Sequence, residues 1–189
     1  MQEPVPAVHP PVALGCTFAV LAVGIVVLIM VFGIVFLNSG AKGGTVELNA
    51  PAAYAAGSLE YESSENFYLV RLRSGTFLAL SDLDAANRAN AAKRCRVAPI
   101  STADPELPAL LKQYAGGMSA DAAGSSVLFR ETCNGAIYDL TGARLDSAGP
   151  NLERLSIDTN RAGKLVVNVT KRTCTEHEGT NLFAPVKCG

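Results

Sequence analysis

Cys133-Asn134-Gly135-Ala136-Ile137-Tyr138-Asp139-Leu140-Thr141-Gly142 reads as a turn, a short apolar strand and a second turn, and this rhythm recurs along the chain. Working outward from the strand at 136–139, further strands are expected at 45–48, 67–73, 76–81, 96–100, 126–130, 153–157 and 164–170. Ser74-Gly75, Thr141-Gly142 and Ala162-Gly163 divide them with turn residues at short intervals, the mark of a small antiparallel β domain. Within 67–73, Phe67, Leu69 and Arg71 face one way and Tyr68, Val70 and Leu72 the other; one of these faces is expected to be core. Residues 105–114 carry Leu107, Leu110 and Leu111 at helical spacing. That helix is expected to begin after Asp104 as N-cap, with Pro105 at the first helical position, and to stop at Gly116-Gly117.

The same stretch resembles the second cluster-binding loop of the Rieske iron–sulfur family. In that family the loop reads Cys-x-Cys-His-Gly, followed after two residues by Phe-Asp and a turn glycine. Here Glu131 stands at the position of the ligand cysteine and Asn134 at that of the ligand histidine. Cys133 matches the other cysteine, which in quinol-oxidising members is half of a disulfide joining the two cluster loops. Upstream, Phe77-Leu78-Ala79-Leu80-Ser81 and Cys95-Arg96-Val97 resemble the strand before, and the cysteine closing, the family's first loop, Cys-x-His-Leu-Gly-Cys. Counting back from Cys95 puts Asn90 and Ala92 at the remaining ligand positions. Downstream, Gly149-Pro150 resembles the proline-containing loop and residues 164–169 the closing strand.

The resemblance covers residues 67–169 and implies an all-β protein, a Rieske-like antiparallel β-sandwich, with a Cys95–Cys133 disulfide and no iron–sulfur cluster. A Rieske centre takes two histidines and two cysteines. The chain has 2 histidines; His9 precedes the apolar stretch described next and His177 lies beyond the domain, so no cofactor is expected.

Between Glu3 and Lys42 there is no Asp, Glu, Lys or Arg, and 12–37 is apolar apart from Cys16, Thr17 and scattered glycines. As a helix this stretch spans about 39 Å, more than the roughly 30 Å hydrocarbon core of a bilayer. Residues 1–11 hold no Lys or Arg, and the run is too long for a cleaved signal, so an uncleaved single transmembrane helix is expected. The expected organisation is a tail at 1–11, the helix at 12–37, a flexible linker at 38–44, the β domain at 45–170 with an insertion at 101–124 between the half-motifs, and an extension at 171–189. Cys95, Cys133, Cys174 and Cys188 all follow the helix, and two disulfides there would imply an oxidising compartment. The amino terminus is therefore expected in the cytoplasm and the domain in a periplasm. The formal net charge of -1 gives no sign of a nucleic-acid partner.

Cys174-Thr175-Glu176-His177 has a Cys-x-x-His spacing that would begin a metal site if further ligands joined it; the alternative is a Cys174–Cys188 disulfide pinning the extension to the domain. Serine hydrolase chemistry fails for want of a Gly-x-Ser-x-Gly motif and of a base other than His177, and no enzyme activity is expected. By resemblance, the expected role is that of a structural or accessory subunit of a membrane electron-transfer assembly. Its partners would be a cytochrome bc-type complex, its supercomplex with a terminal oxidase, or a photosynthetic counterpart. Two rivals stand beside this: a redox carrier using Cys174 and His177 or unusual ligands such as Glu131, and a free-standing envelope binding module.

Overall fold

The computed structural model describes Ile25, Met30 and residues 44–89 and 95–188. Ile25 and Met30 are helical and exposed; the rest of the expected span at 12–37 lies outside the described residues, as do Asn90 and Ala92. Among the described residues, no helix is long and apolar enough to cross a membrane. Residues 44–189 form one compact unit, mostly antiparallel β-sheet.

In chain order the elements are β1 (Thr45–Glu47), β2 (Leu59–Glu62), β3 (Phe67–Arg71), β4 (Phe77–Asp84), α1 (Ala85–Ala89), β5 (Val97–Pro99), α2 (Leu107–Tyr114), β6 (Phe129–Glu131), β7 (Ile137–Tyr138), β8 (Gly149–Pro150), β9 (Leu152–Thr159), β10 (Leu165–Glu178) and β11 (Asn181–Val186). A large sheet runs in the order β1-β10-β9-β4-β3-β2, with β8 and β11 also paired to β10. A second sheet, β5-β6-β7, lies in the chain between β4 and β9, which are themselves ladder neighbours with Asp84 opposite Leu152. The small sheet is therefore an insertion whose two ends are clamped together by the large one.

The alternation of 67–73 is present, but both of its faces are core. Phe67 and Leu69 join Tyr54, Ala79, Leu155, Leu165 and Val167 in one buried cluster. Tyr68, Val70 and Leu72 join Leu80, Val97, Phe129, Tyr138 and Leu152 in another. The expectation of a single core face assumed one apolar layer, whereas the inserted small sheet covers the second. Arg71 stays on the Phe67 face by turning its guanidinium onto the backbone oxygens of Pro51 and Tyr54 and over the Phe77 ring, 5.4 Å from its centroid.

The small sheet is itself two-sided. Val97, Phe129 and Tyr138 face the large sheet, while Ile100, Leu128 and Ile137 meet Leu107 of α2, with Leu110, Leu111 and Tyr114 packed alongside. The insertion at 101–124 thus supplies the outer cover of the small sheet. Its helix starts later than expected: the Glu106 amide donates to the Asp104 carboxylate (2.9 Å), forming a turn ahead of the helix, and Pro108 rather than Pro105 falls in the first helical turn.

β10 runs through the point where the extension at 171–189 was expected to begin, and β11 returns along it. A bulge lets it do so: the pairing with β9 jumps from Asn168↔Ser156 to Arg172↔Leu155. The Asn168 side-chain oxygen accepts the Thr170 and Lys171 amides that the bulge leaves unpaired (both 3.0 Å), in keeping with the cost of an unpaired backbone donor.

Gly142 shows how tightly the two sheets are coupled. It sits at φ 82°, and a Cβ there would lie 3.0 Å from the Leu152 Cβ and 3.3 Å from Leu80 Cδ2, both core atoms. Replacing it with alanine adds left-handed backbone strain to an overpacked contact, so Gly142→Ala is expected to lower stability by about 1–3 kcal/mol in urea denaturation of the full chain. A loss under about 0.5 kcal/mol would contradict this packing.

Candidate functional site: the stapled loop pair

The two half-motifs meet at the end of the small sheet. Cys95 and Cys133 are disulfide-bonded, with Cα atoms 5.5 Å apart and a sequence separation of 38. Closing a loop of that size stabilises the fold by roughly 4 kcal/mol in the chain-entropy account. The strands continue the join: the Thr132 amide donates to the Arg96 carbonyl (2.9 Å) and the Arg96 amide to Thr132 Oγ1 (3.1 Å).

Glu131 and Asn134, the described pair of aligned ligand positions, lie on this turn. Glu131 is buried and Asn134 exposed. The Glu131 carboxylate accepts the Cys133 amide at 2.7 Å through Oε1 and the Asn134 amide through Oε2. Its own carbonyl accepts the Gly135 amide (3.1 Å), and Gly135 closes the turn at φ 73°. Glu131 thus bonds and orders its own loop. Donor atoms of Cys95, Glu131 and Cys133 all lie within 4.8 Å of one another.

A set of buried and part-buried polar contacts fixes the loops to the large sheet. Arg96, next to Cys95, reaches both oxygens of Asp82 at the end of β4 (2.6 and 2.8 Å), and Tyr61 donates to the same carboxylate (3.1 Å). The Tyr68 hydroxyl donates to the Val97 carbonyl (3.0 Å). Tyr138 donates to Asp84 (2.8 Å), which also accepts the Asn87 amide (2.7 Å). One turn further on, fully buried Asp139 accepts the amides of Ser119, Thr141 and Ala143 and the Thr141 hydroxyl. Sequence reasoning passed over Asp82 and Asp84. The available signal was Ser81-Asp82-Leu83-Asp84, two acids closing an otherwise apolar strand, where a carboxylate survives burial only with donors supplied.

The extension resolves differently from a metal site. Cys174 and Cys188 are disulfide-bonded, so neither presents a thiolate. His177, on β10, has Nδ1 at 2.8 Å from the Arg144 carbonyl and Nε2 at 3.1 Å from that of Gly179, so each ring nitrogen faces a backbone carbonyl. A Rieske centre does not fit these residues: Glu131 offers a carboxylate where a thiolate is needed, Asn134 offers an exposed amide in place of an imidazole, and His177 is held on another sheet.

No family model, curated protein or solved structure matches the chain. What the fold and the site define is a disulfide-stapled, all-β domain in which two loops are locked by covalent and hydrogen bonds.

Tyr68 provides a pH test of how β5 is held. Burial, followed by the proximity of Tyr61 and Asp82, pushes its hydroxyl up from the ordinary value of 10.0 to about 12; burial and Asp84 raise Tyr138 in the same direction. Below pH 10 tyrosine is neutral in both folded and unfolded chains and the stabilisation is complete. Between pH 10 and 12 the unfolded chain ionises first, so stability falls as pH rises. Denaturant titrations across this window are expected to show a shallower loss for Tyr68→Phe than for the parent protein. Equal slopes would mean that Tyr68 is not held neutral against β5.

Proposed function

We propose that this chain is a membrane-anchored structural or accessory subunit of an electron-transfer assembly, built on a Rieske-like frame that has lost its cluster. The observation that carries the reading is the Cys95–Cys133 disulfide. It joins the two loops that the resemblance picked out separately, between the cysteines that the family uses for the same purpose. Supporting it, Glu131, at an aligned ligand position, is turned to hydrogen bonding within the loop, a role that needs no redox group. A frame retained without its chemistry is useful for the surface it presents. The apolar stretch at 12–37, free of charge and long enough to span a bilayer, provides the anchor. A single span without ionisable residues has no evident transport role of its own, so the activity belongs to the partners: multi-span electron-transfer proteins of a cytochrome bc, oxidase or photosynthetic type. Both disulfides fit an extracytoplasmic domain.

The test is isolation of the native protein in mild detergent at native expression level. The expected result is a colourless polypeptide that brings multi-span cytochrome-containing proteins with it. Two irons per chain, the paramagnetic signal of a reduced Rieske cluster, or a lone monomer with no reproducible companion would each overturn the proposal.

A further inference from the structure

We infer that opening the Cys95–Cys133 disulfide creates a binding site for a single thiophilic divalent cation, Zn²⁺ in the first instance, with Cys95, Cys133 and Glu131 as its three protein ligands. The inference rests on the geometry of the turn alone and stands whether or not the accessory-subunit reading holds.

Three observations support it. One sulfur of each cysteine and a carboxylate oxygen of Glu131 lie within 4.8 Å of one another. A four-coordinate zinc with bonds of about 2.3 Å to sulfur and about 2.0–2.2 Å to oxygen needs its donors at separations of that order, so separating the sulfurs to the two sides of an ion requires a small adjustment. Secondly, Glu131 has capacity to spare. An ionised carboxylate offers about four lone-pair positions, and the Cys133 and Asn134 amides occupy one on each oxygen, so the turn keeps its hydrogen bonds while the metal is bound. Thirdly, the two cysteines differ in access: Cys95 is 1% exposed whereas Cys133 is exposed. A reductant therefore reaches the bond from the Cys133 side, and the buried Cys95 and Glu131 remain as a preformed floor. The pattern of two thiolates and one carboxylate leaves the fourth position open to water or an external ligand, and thiolate donors favour zinc over the hard cations.

The chemistry balances in two steps. A dithiol reductant gives up two electrons and two protons, becoming its own disulfide, while the Cys95–Cys133 bond becomes two thiols. Zn²⁺ then displaces the two thiol protons to solution and bonds the thiolates. In the reverse direction a small-molecule disulfide takes two electrons from the thiolates and two protons from solution, becoming a dithiol as the ion leaves and the Cys95–Cys133 bond re-forms, so cation and disulfide are alternatives at one place.

Cobalt(II) is the probe, because its thiolate complexes absorb visibly. The full chain in mild detergent is reduced with a water-soluble phosphine, which takes up one oxygen from water as it opens the bond, and titrated with Co²⁺ beside the unreduced protein. The expected result is a thiolate-to-cobalt charge-transfer band saturating at one equivalent, removed by Zn²⁺ and missing from the unreduced protein. The band should persist in Cys174→Ser/Cys188→Ser, and Glu131→Gln should weaken cobalt binding by about tenfold or more. A reduced protein without the band, a band in the oxidised protein, a band lost with Cys174 and Cys188, or unchanged affinity in Glu131→Gln would each overturn the assignment. The comparison of reduced with unreduced parent keeps the test decisive if Glu131→Gln fails to fold.

Discussion

The segment that leaves the large sheet at Asp84 rejoins it at Gly149–Pro150, against β10, and at Leu152, which faces Asp84 across one ladder. Everything between them must fold back on the sheet from a single base. Such a loop is free to swing unless something fixes its far part. The structure fixes it by burial, through Phe129 and Tyr138 packed on Tyr68, Val70 and Leu80, and by a covalent tie between β5 and the turn after β6. The polar contacts of Tyr68, Asp82 and Asp84 sit where the small sheet meets the large one and hold the register between them.

Glu131 is central to the turn because a carboxylate that accepts two successive amides takes over an ordering task. A buried acid costs free energy unless its lone pairs are satisfied, and here the donors come from the turn that it must shape. The same carboxylate faces the disulfide. Covalent closure and hydrogen bonding thus converge on one small volume at the end of the small sheet, and its state of oxidation decides what that volume can hold.

The β class was legible because its signals are local. Alternation in 67–73 and the Gly-containing turns specify strands and their ends, and β1, β3, β4, β9 and β10 begin at or within a residue of where they were expected. The second buried face of β3 was not legible, since Tyr68, Val70 and Leu72 look the same whether they meet solvent, a membrane or an inserted sheet. β2 was missed: Leu59-Glu60-Tyr61-Glu62 carries acids on an edge strand, where β propensity is weakly expressed. β11 and the later half of β10 were read as an extension because polar residues and the bulge after Asn168 interrupt the pattern. At the site, the cysteine pairing followed from resemblance, whereas the roles of Glu131, Asp82 and Asp84 depend on donors distant in sequence or on a turn whose geometry no spacing rule encodes.

The central claim is that disulfide and Glu131 together hold the loop pair without a metal. Amide hydrogen exchange of the oxidised, chelator-treated protein tests it most directly, since the Cys133 and Asn134 amides are the two donors to Glu131 and their residues are otherwise exposed to solvent. The account predicts that both amides exchange far more slowly than in an unstructured chain and that Glu131→Ala removes the protection. Exchange at unprotected rates in the parent protein, or protection that appears only when metal is added back, would contradict it.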